Sequence, residues 1–325
     1  MDSLLQRTSS KNLMLFSGRA HPTLAEEVAD LLEVSLVPTT AYDFSNGEIY
    51  VRFDESIRGS DAFVIQSHCA PINESIMEQL IMVDALKRAS ANRISVVLPF
   101  YGYARQDKKH LGREPISARL LADLFSTAGA DRLMTVDLHT AQIQGYFDGP
   151  VDHLLAAPIL TRHVKKHYGD RPLTVVSPDA GRIKVAESWA NSLGGVPLSF
   201  IHKTRDITRP NESRANRVVG DVEGRVCILV DDIIDTGGTI VQAAEALKAD
   251  GAADVVIAAT HAVFSGPAVD RLKNSSVCEV IVTNTLPIPE QKRFDKLTVL
   301  SIAPLLAQAV NAVFIDGSVT SLFKY

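Results

Sequence analysis

Short apolar runs return along the whole chain: "DAFVIQS", "RISVVLPF", "RLMTVDLH", "LTVVSPD", "VCILVDD", "DVVIAATHAVF" and "EVIVTNTL". Their apolar residues are consecutive rather than alternating with polar ones, the pattern of strands covered on both faces in a mostly parallel sheet. Between many of them the spacing becomes helical. "MEQLIMVDALKRAS" sets Leu80, Val83, Leu86 and Lys87 along one face, and "SARLLADLFSTAGA" and "TIVQAAEALKADGA" are rich in alanine and leucine. Strand, helix, strand is the repeating unit, which predicts an α/β fold.

Three segments run from a helix end through a small turn into a strand: "ALKRASANRISVVLPF", "LFSTAGADRLMTVDLH" and "ALKADGAADVVIAATH". Glycine supplies a left-handed helix stop in the last two, at Gly129 and Gly251. The likeness fits two domains of similar design, and it equally fits the generic repetition of any α/β chain. The segment "DGPVDHLLAAPIL", with Gly149, Pro150 and Pro158, is the candidate boundary. "HKTRDITRPNESRANR", His202 to Arg217, mixes charge with Pro210 and two asparagines and predicts a long exposed loop, either merely solvated or functional.

The chain has 325 residues, 46% of them hydrophobic, enough for one large domain or two ordinary ones. A net charge of -5 leaves no overall electrostatic footprint for nucleic acid, so no such partner is expected. Cys69, Cys227 and Cys278 are few and widely spaced, which predicts buried thiols in a reducing compartment rather than a disulfide or zinc framework. The start "MDSLLQRTSSKN" lacks a secretory apolar core, and no run is long enough to cross a bilayer. The expected location is cytoplasmic, without membrane attachment.

Chemistry concentrates in "ILVDDIIDTGGTI", Ile228 to Ile240. In a parallel sheet, ligands bind at the carboxyl ends of strands, and Asp231 and Asp232 fall at such an end. Gly237 and Gly238 permit close backbone approach, Thr236 and Thr239 add hydroxyls, and the following helix start offers backbone N–H groups to an anion. That loop suits a phosphate. Asp231, Asp232 and Asp235 would repel one, so they suit sugar hydroxyls or a hydrated metal ion beside it. A phosphorylated sugar satisfies both halves.

"VDDIIDTGGT" resembles the phosphoribosyl-binding signature shared by type I phosphoribosyltransferases and ribose-phosphate pyrophosphokinases. Other segments choose the second family, in its order: "FSNGEIYVRF", "PFYGYARQDKKHLGREPISARL", "TVDLHTAQIQGYFDGPVDHL", "VSPDAG", "HKTR", "ATHAVFSGPA" and "VTNTLPI". The resemblance to a class I enzyme implies an α/β fold of two similar phosphoribosyltransferase-like domains, each with a mostly parallel sheet flanked by helices. Residues 1–155 would carry the ATP segments and 156–304 the ribose 5-phosphate and catalytic loops, with 305–325 a tail returning to the first domain. It implies transfer of a diphosphoryl group from ATP to the anomeric hydroxyl of ribose 5-phosphate, giving PRPP and AMP for nucleotide, histidine and tryptophan biosynthesis. No G-x-x-x-x-G-K-[ST] loop is present. By the resemblance, Phe44, Asn46 and Glu48 meet the adenine with Gly47 in the same ATP-binding loop, Arg105 and Gln106 meet the nucleotide and its phosphates, and Asp231, Asp232, Asp235, Thr236, Gly237, Gly238 and Thr239 the ribose 5-phosphate.

The same resemblance assigns magnesium to His139 and Asp179, and the basic pair of a mobile catalytic loop to Lys203 and Arg205, with Arg205 also reaching ribose 5-phosphate. The first nucleotide loop comes from a neighbouring subunit in the family, which implies a homo-oligomer, a hexamer. The end "GSVTSLFKY", with Arg58, resembles the regulatory site for inorganic phosphate and ADP. Two positions depart from the family pattern: Asn46 stands where many members have aspartate, and Arg182 where a small residue is usual. The competing readings are a type I phosphoribosyltransferase that uses PRPP and a non-catalytic regulatory subunit on the same fold. The first leaves "FSNGE" and "YGYARQDKK" without a role. The second does not require Lys203, Arg205, His139 and Asp179.

Overall fold

In the computed structural model, which describes residues 11–204 and 215–323, all seven apolar runs become strands. The chain divides into two compact units, one formed by the described residues through His153 together with Ala303–Leu322, the other by Leu154–Ile302. The division falls inside "DGPVDHLLAAPIL".

The first unit contains β1 (Leu13–Ser17), α1 (Pro22–Leu31), β2 (Thr39–Asp43), β3 (Ile49–Phe53), β4 (Asp61–Ile65), α2 (Ile72–Arg88), β5 (Arg93–Leu98), α3 (Ser117–Ala128), β6 (Arg132–Val136) and β7 (Val151–Leu154). Its sheet has the order β1-β4-β5-β6-β7, and the pairs β1·β4, β4·β5 and β5·β6 are parallel. Every residue of β4 is buried, as its unbroken apolar run requires. The helical stripe of α2 includes polar positions: Glu78 and Gln79 are buried with Met82, Val83 and Leu86, whereas Leu80 is only half-buried. Val64, Val96, Phe125 and Leu86 meet in one core. β2 and β3 form a separate antiparallel hairpin, partly exposed along its length, so no apolar run announces it.

The second unit contains α4 (Ala157–Tyr168), β8 (Leu173–Ser177), α5 (Ile183–Ser192), β9 (Leu198–Thr204), β10 (Ala215–Val219), β11 (Val226–Ile234), α6 (Gly238–Ala249), β12 (Asp254–Ala262), α7 (Ala268–Lys273), β13 (Glu279–Thr283) and β14 (Leu297–Leu300). Its seven-stranded sheet runs β10-β9-β8-β11-β12-β13-β14 and is parallel except for the β9·β10 edge pair. The apolar faces of β11 and β12 sink into a core with Leu229, Ile257, Ala244 and Leu247. The last helix, α8 (Ala303–Phe314), belongs to the first unit and packs against α1.

Two sequence expectations need correction. The segment 202–217 is not loop throughout: its ends are strand, with Thr204 paired to Ala215 and Lys203 to Asn216, and residues 205–214 lie outside the described residues. Of the three thiols only Cys227 is buried, while Cys69 is half-buried and Cys278 exposed, because Cys278 precedes β13 instead of facing its core. Among the described residues no helix is long and apolar enough to cross a membrane.

Candidate functional site

β11 lies inside its sheet, paired in parallel with β8 on one side and β12 on the other, so its carboxyl end opens at the edge where ligands bind. The strand continues through Ile234, which places Asp231 and Asp232 on its last turn of pairing rather than beyond it. Residues 235–237 turn the chain into α6. Gly237 has φ +73°, a left-handed conformation that a side chain would strain, and it caps α6 without any side-chain acceptor. The first N–H groups of a helix have no partner inside it, so α6 presents donors and the positive end of its dipole next to the exposed hydroxyl residues Thr236 and Thr239. Two supports come from sequence further on. Ser265 N–H donates to the Asp235 carbonyl (2.9 Å), and the Arg271 guanidinium donates to the Thr236 carbonyl (3.0 Å).

The turn after β8 meets the same end of the sheet. Asp179 accepts from Gly181 N–H (2.9 Å), and the Ser177 hydroxyl donates to the Asp179 carbonyl (2.6 Å), which shapes a short 3-10 turn over Ala180–Arg182. Arg182 then reaches both strand acids, its Nη2 2.5 Å from Asp232 and its Nε 3.8 Å from Asp231. The unusual residue in the sequence thus closes on the acids rather than disrupting the turn. Burial pushes the Asp231 carboxyl well above its ordinary value, the Asp232 charge pushes the same way, and Arg182 opposes both.

In the first unit, Phe44–Glu48 is the tip of the β2–β3 hairpin. Gly47 sits there at φ +86°, Phe44 and Glu48 close the turn through the Phe44 N–H (2.8 Å), and Asn46 Oδ1 accepts from Glu48 N–H (3.2 Å). The acceptor that asparagine shares with aspartate is therefore the one that shapes the tip. Phe44, Asn46 and Glu48 are all exposed. Phe44, Gly47, Glu48 and Ile49 also border a shallow apolar depression with Met77 and Ile81.

Arg105 and Gln106 lie exposed in the loop between β5 and α3. The Ser117 hydroxyl donates to Gln106 Oε1 (2.6 Å), which fixes the carbonyl end of that amide. The neighbouring Asp107 is buried and accepts from the Thr140 hydroxyl (2.8 Å) and from Gln142, tying this loop to the segment that carries His139. His139 follows β6 in the first unit and Asp179 follows β8 in the second. Lys203 lies on β9, and Arg205 lies outside the described residues. Sequence reasoning missed Arg271, Ser117 and Asp107, for which only proximity in the folded chain gives a signal.

Among the described residues no group of three or more His, Cys, Asp or Glu side chains is gathered to hold a metal ion. Magnesium is commonly held by one or two carboxylates and completed by substrate phosphates, and the exposed turn of Asp179 fits that donor set.

Two family models match the chain: the N-terminal domain of ribose phosphate pyrophosphokinase over residues 13–129, and the phosphoribosyl synthetase-associated domain over residues 199–324. A ribose-phosphate pyrophosphokinase of Mycobacterium leprae is 64% identical over 313 residues, 96% of each chain. The protein of that name from Streptomyces avermitilis is 65% identical over 319 residues, 98% of each. The crystal structure of phosphoribosylpyrophosphate synthetase from Mycobacterium smegmatis superposes with a TM-score of 0.91 at 66% identity, covering 94% of this chain and all of that one. An acid-glycine loop on a two-unit α/β frame and relatives spanning nearly the full length agree: the chain belongs to the ribose-phosphate pyrophosphokinase family.

Proposed function

We propose that the protein transfers the β,γ-diphosphoryl group of ATP to the anomeric hydroxyl of ribose 5-phosphate in a magnesium-dependent reaction. The O1–Pβ bond forms, the bond from Pβ to the oxygen bridging Pα breaks, the hydroxyl proton is lost and AMP leaves. The observation that carries this reading is the β11–α6 connection, where a left-handed glycine and an uncapped helix start stand beside three aspartates. Backbone N–H groups of 236–239 and the hydroxyls of Thr236 and Thr239 take the 5-phosphate, while Asp231 and Asp232 accept from the ribose hydroxyls and Asp235 completes the acid cluster.

Phe44 stacks on the adenine, with Asn46, Gly47 and Glu48 shaping its edge, and Arg105 and Gln106 take nucleotide phosphates. Lys203 and Arg205 stabilise negative charge on the transferring group, and Arg205 also meets ribose 5-phosphate. Asp179 would hold magnesium, which when bound would neutralise charge on phosphoryl oxygens, and His139, the family's other metal-associated position, would act through water or a phosphate. The hairpin tip is exposed, which suits a loop lent to a neighbouring subunit's adenine site as the family resemblance implies, and the working form is then a homo-oligomer, a hexamer. Inorganic phosphate and ADP act as effectors near Arg58 and the tail. Location in the cytoplasm is part of the same proposal.

The test is incubation with magnesium, ATP and ribose 5-phosphate. AMP and PRPP are expected, and ADP alone or no product from folded protein overturns the reading. Lys203→Ala is expected to keep ATP binding while losing about a hundredfold or more in turnover, and unchanged turnover removes the role of Lys203.

A further inference from the structure

We propose that Arg182 is a positioning residue for ribose 5-phosphate: its guanidinium orients the Asp231–Asp232 pair so that both carboxylates accept hydrogen bonds from the sugar. This rests on the reading of those acids as the ribose site. The placement follows from the sheet. β8 and β11 are adjacent and parallel, with Val176 paired to Leu229, so the turn that leaves β8 arrives beside the residues that follow Val230. Asp179 and Ser177 fix that turn through the two short hydrogen bonds already described, and Arg182 is presented from its last position.

The guanidinium is planar and bears donors on separate nitrogens, so one side chain can address two carboxylates at once. Here Nη2 lies 2.5 Å from Asp232 and Nε 3.8 Å from Asp231. The same oxygen of Asp231, Oδ1, also accepts from the Asp232 N–H at 2.9 Å. Side-chain exposure is 16% for Arg182, 20% for Asp231 and 8% for Asp232, so the three sit largely out of solvent where geometry, not screening, sets their interaction. Two adjacent acids raise the cost of charge on each other. One cation across both offsets that cost and still leaves lone pairs on each acid, since a carboxylate accepts about four hydrogen bonds. A lysine at this position would reach one acid only.

The experiment compares Arg182→Gln, Arg182→Lys and Asp231→Asn with the natural sequence. Michaelis constants are measured separately for ribose 5-phosphate and ATP, and ribose 5-phosphate binding is measured by calorimetry without ATP. Arg182→Gln is expected to weaken ribose 5-phosphate by roughly ten- to a hundredfold in both measurements. Its KM for ATP should move by less than about twofold, and Arg182→Lys should fall between. If Asp231→Asn weakens ribose 5-phosphate but Arg182→Gln leaves it unchanged or tighter, the positioning role is overturned and the site reading stands. If Asp231→Asn has no effect, the site reading fails and the proposal with it. Should Arg182→Gln not fold, Arg182→Lys decides: weaker ribose 5-phosphate with unmoved ATP supports the proposal, and an equal shift for both substrates overturns it.

Discussion

His68 shows how a single side chain joins sheet, helix and loop in the first unit. It is fully buried and stacked on Phe125, with 5.9 Å between ring centroids and 2° between planes. Gly102 N–H donates to its Nδ1 (2.9 Å), so the ring proton resides on Nε2 and is donated to Gln79 Oε1 (2.9 Å). The Gln79 amide in turn donates to the carbonyls of Val64 (3.1 Å) and Val97 (3.3 Å). Burial lowers the imidazole from its ordinary 6.5 to about 4, so the ring stays neutral and the loop that carries Arg105 and Gln106 is anchored by it. The sign for stability follows. Because the folded value lies below the unfolded one, the unfolded chain binds the proton first, and the contribution present above pH 6.5 is lost as the pH falls toward 4. At pH 5 the loss is roughly 2 kcal/mol. Urea unfolding of His68→Gln and the natural protein at pH 7 and pH 5 should therefore show the stability difference shifting by that amount in favour of the variant. A difference that does not change with pH excludes the neutral buried ring.

At the scale of elements, three helix-to-strand turns share one geometry. α2, α3 and α6 each end on a left-handed residue, Ser90 at φ 64°, Gly129 at φ 117° and Gly251 at φ 87°. In each the next residue closes back onto the last helical turn, Ala91 N–H to Leu86, Ala130 N–H to Phe125 and Ala252 N–H to Leu247, at 3.0 to 3.1 Å. Two of these stops were legible because glycine advertises them, and the third was not because serine there is conformationally strained. Ser90→Gly should therefore stabilise by about 1 kcal/mol and Gly251→Ala should destabilise by a similar amount, both read from thermal unfolding. A loss of stability in Ser90→Gly would mean that the serine hydroxyl compensates the strain. The same contrast divides the rest of the chain. Buried strands were readable as unbroken apolar runs, whereas the β2–β3 hairpin is largely open to solvent and the charged, polar β9–β10 ends carry no such run. The acid-glycine loop was readable because its chemistry is contiguous, while Arg271 and Arg182 reach it from other elements and become visible only in the folded chain.

At the scale of the whole molecule, the order of the chain and the order of the units differ. After Ile302 the chain returns to the first unit, where α8 buries Leu305, Leu306, Ala309, Val310 and Val313 and packs against α1, which buries Leu24, Ala25, Val28 and Ala29. Asp316 then lies between Lys11 and Arg93, 2.9 Å from the latter, and Arg93 also holds the buried Asp61. Exposed pairs of that kind contribute little in salt, so the return is held mainly by the apolar face. Leu306 has no exposed surface, and truncation to alanine should cost about 3 kcal/mol from lost transfer energy and the cavity left behind. The single tryptophan, Trp189, is buried in the second unit and separates the two outcomes. In Leu306→Ala, far-ultraviolet dichroism should begin to fall at lower urea than in the natural protein while the Trp189 fluorescence transition moves less. This happens because a substitution close to the C-terminus weakens the unit built from the N-terminus. A fluorescence transition that shifts as far as the dichroism, or further, would assign α8's stabilising contacts to the wrong unit.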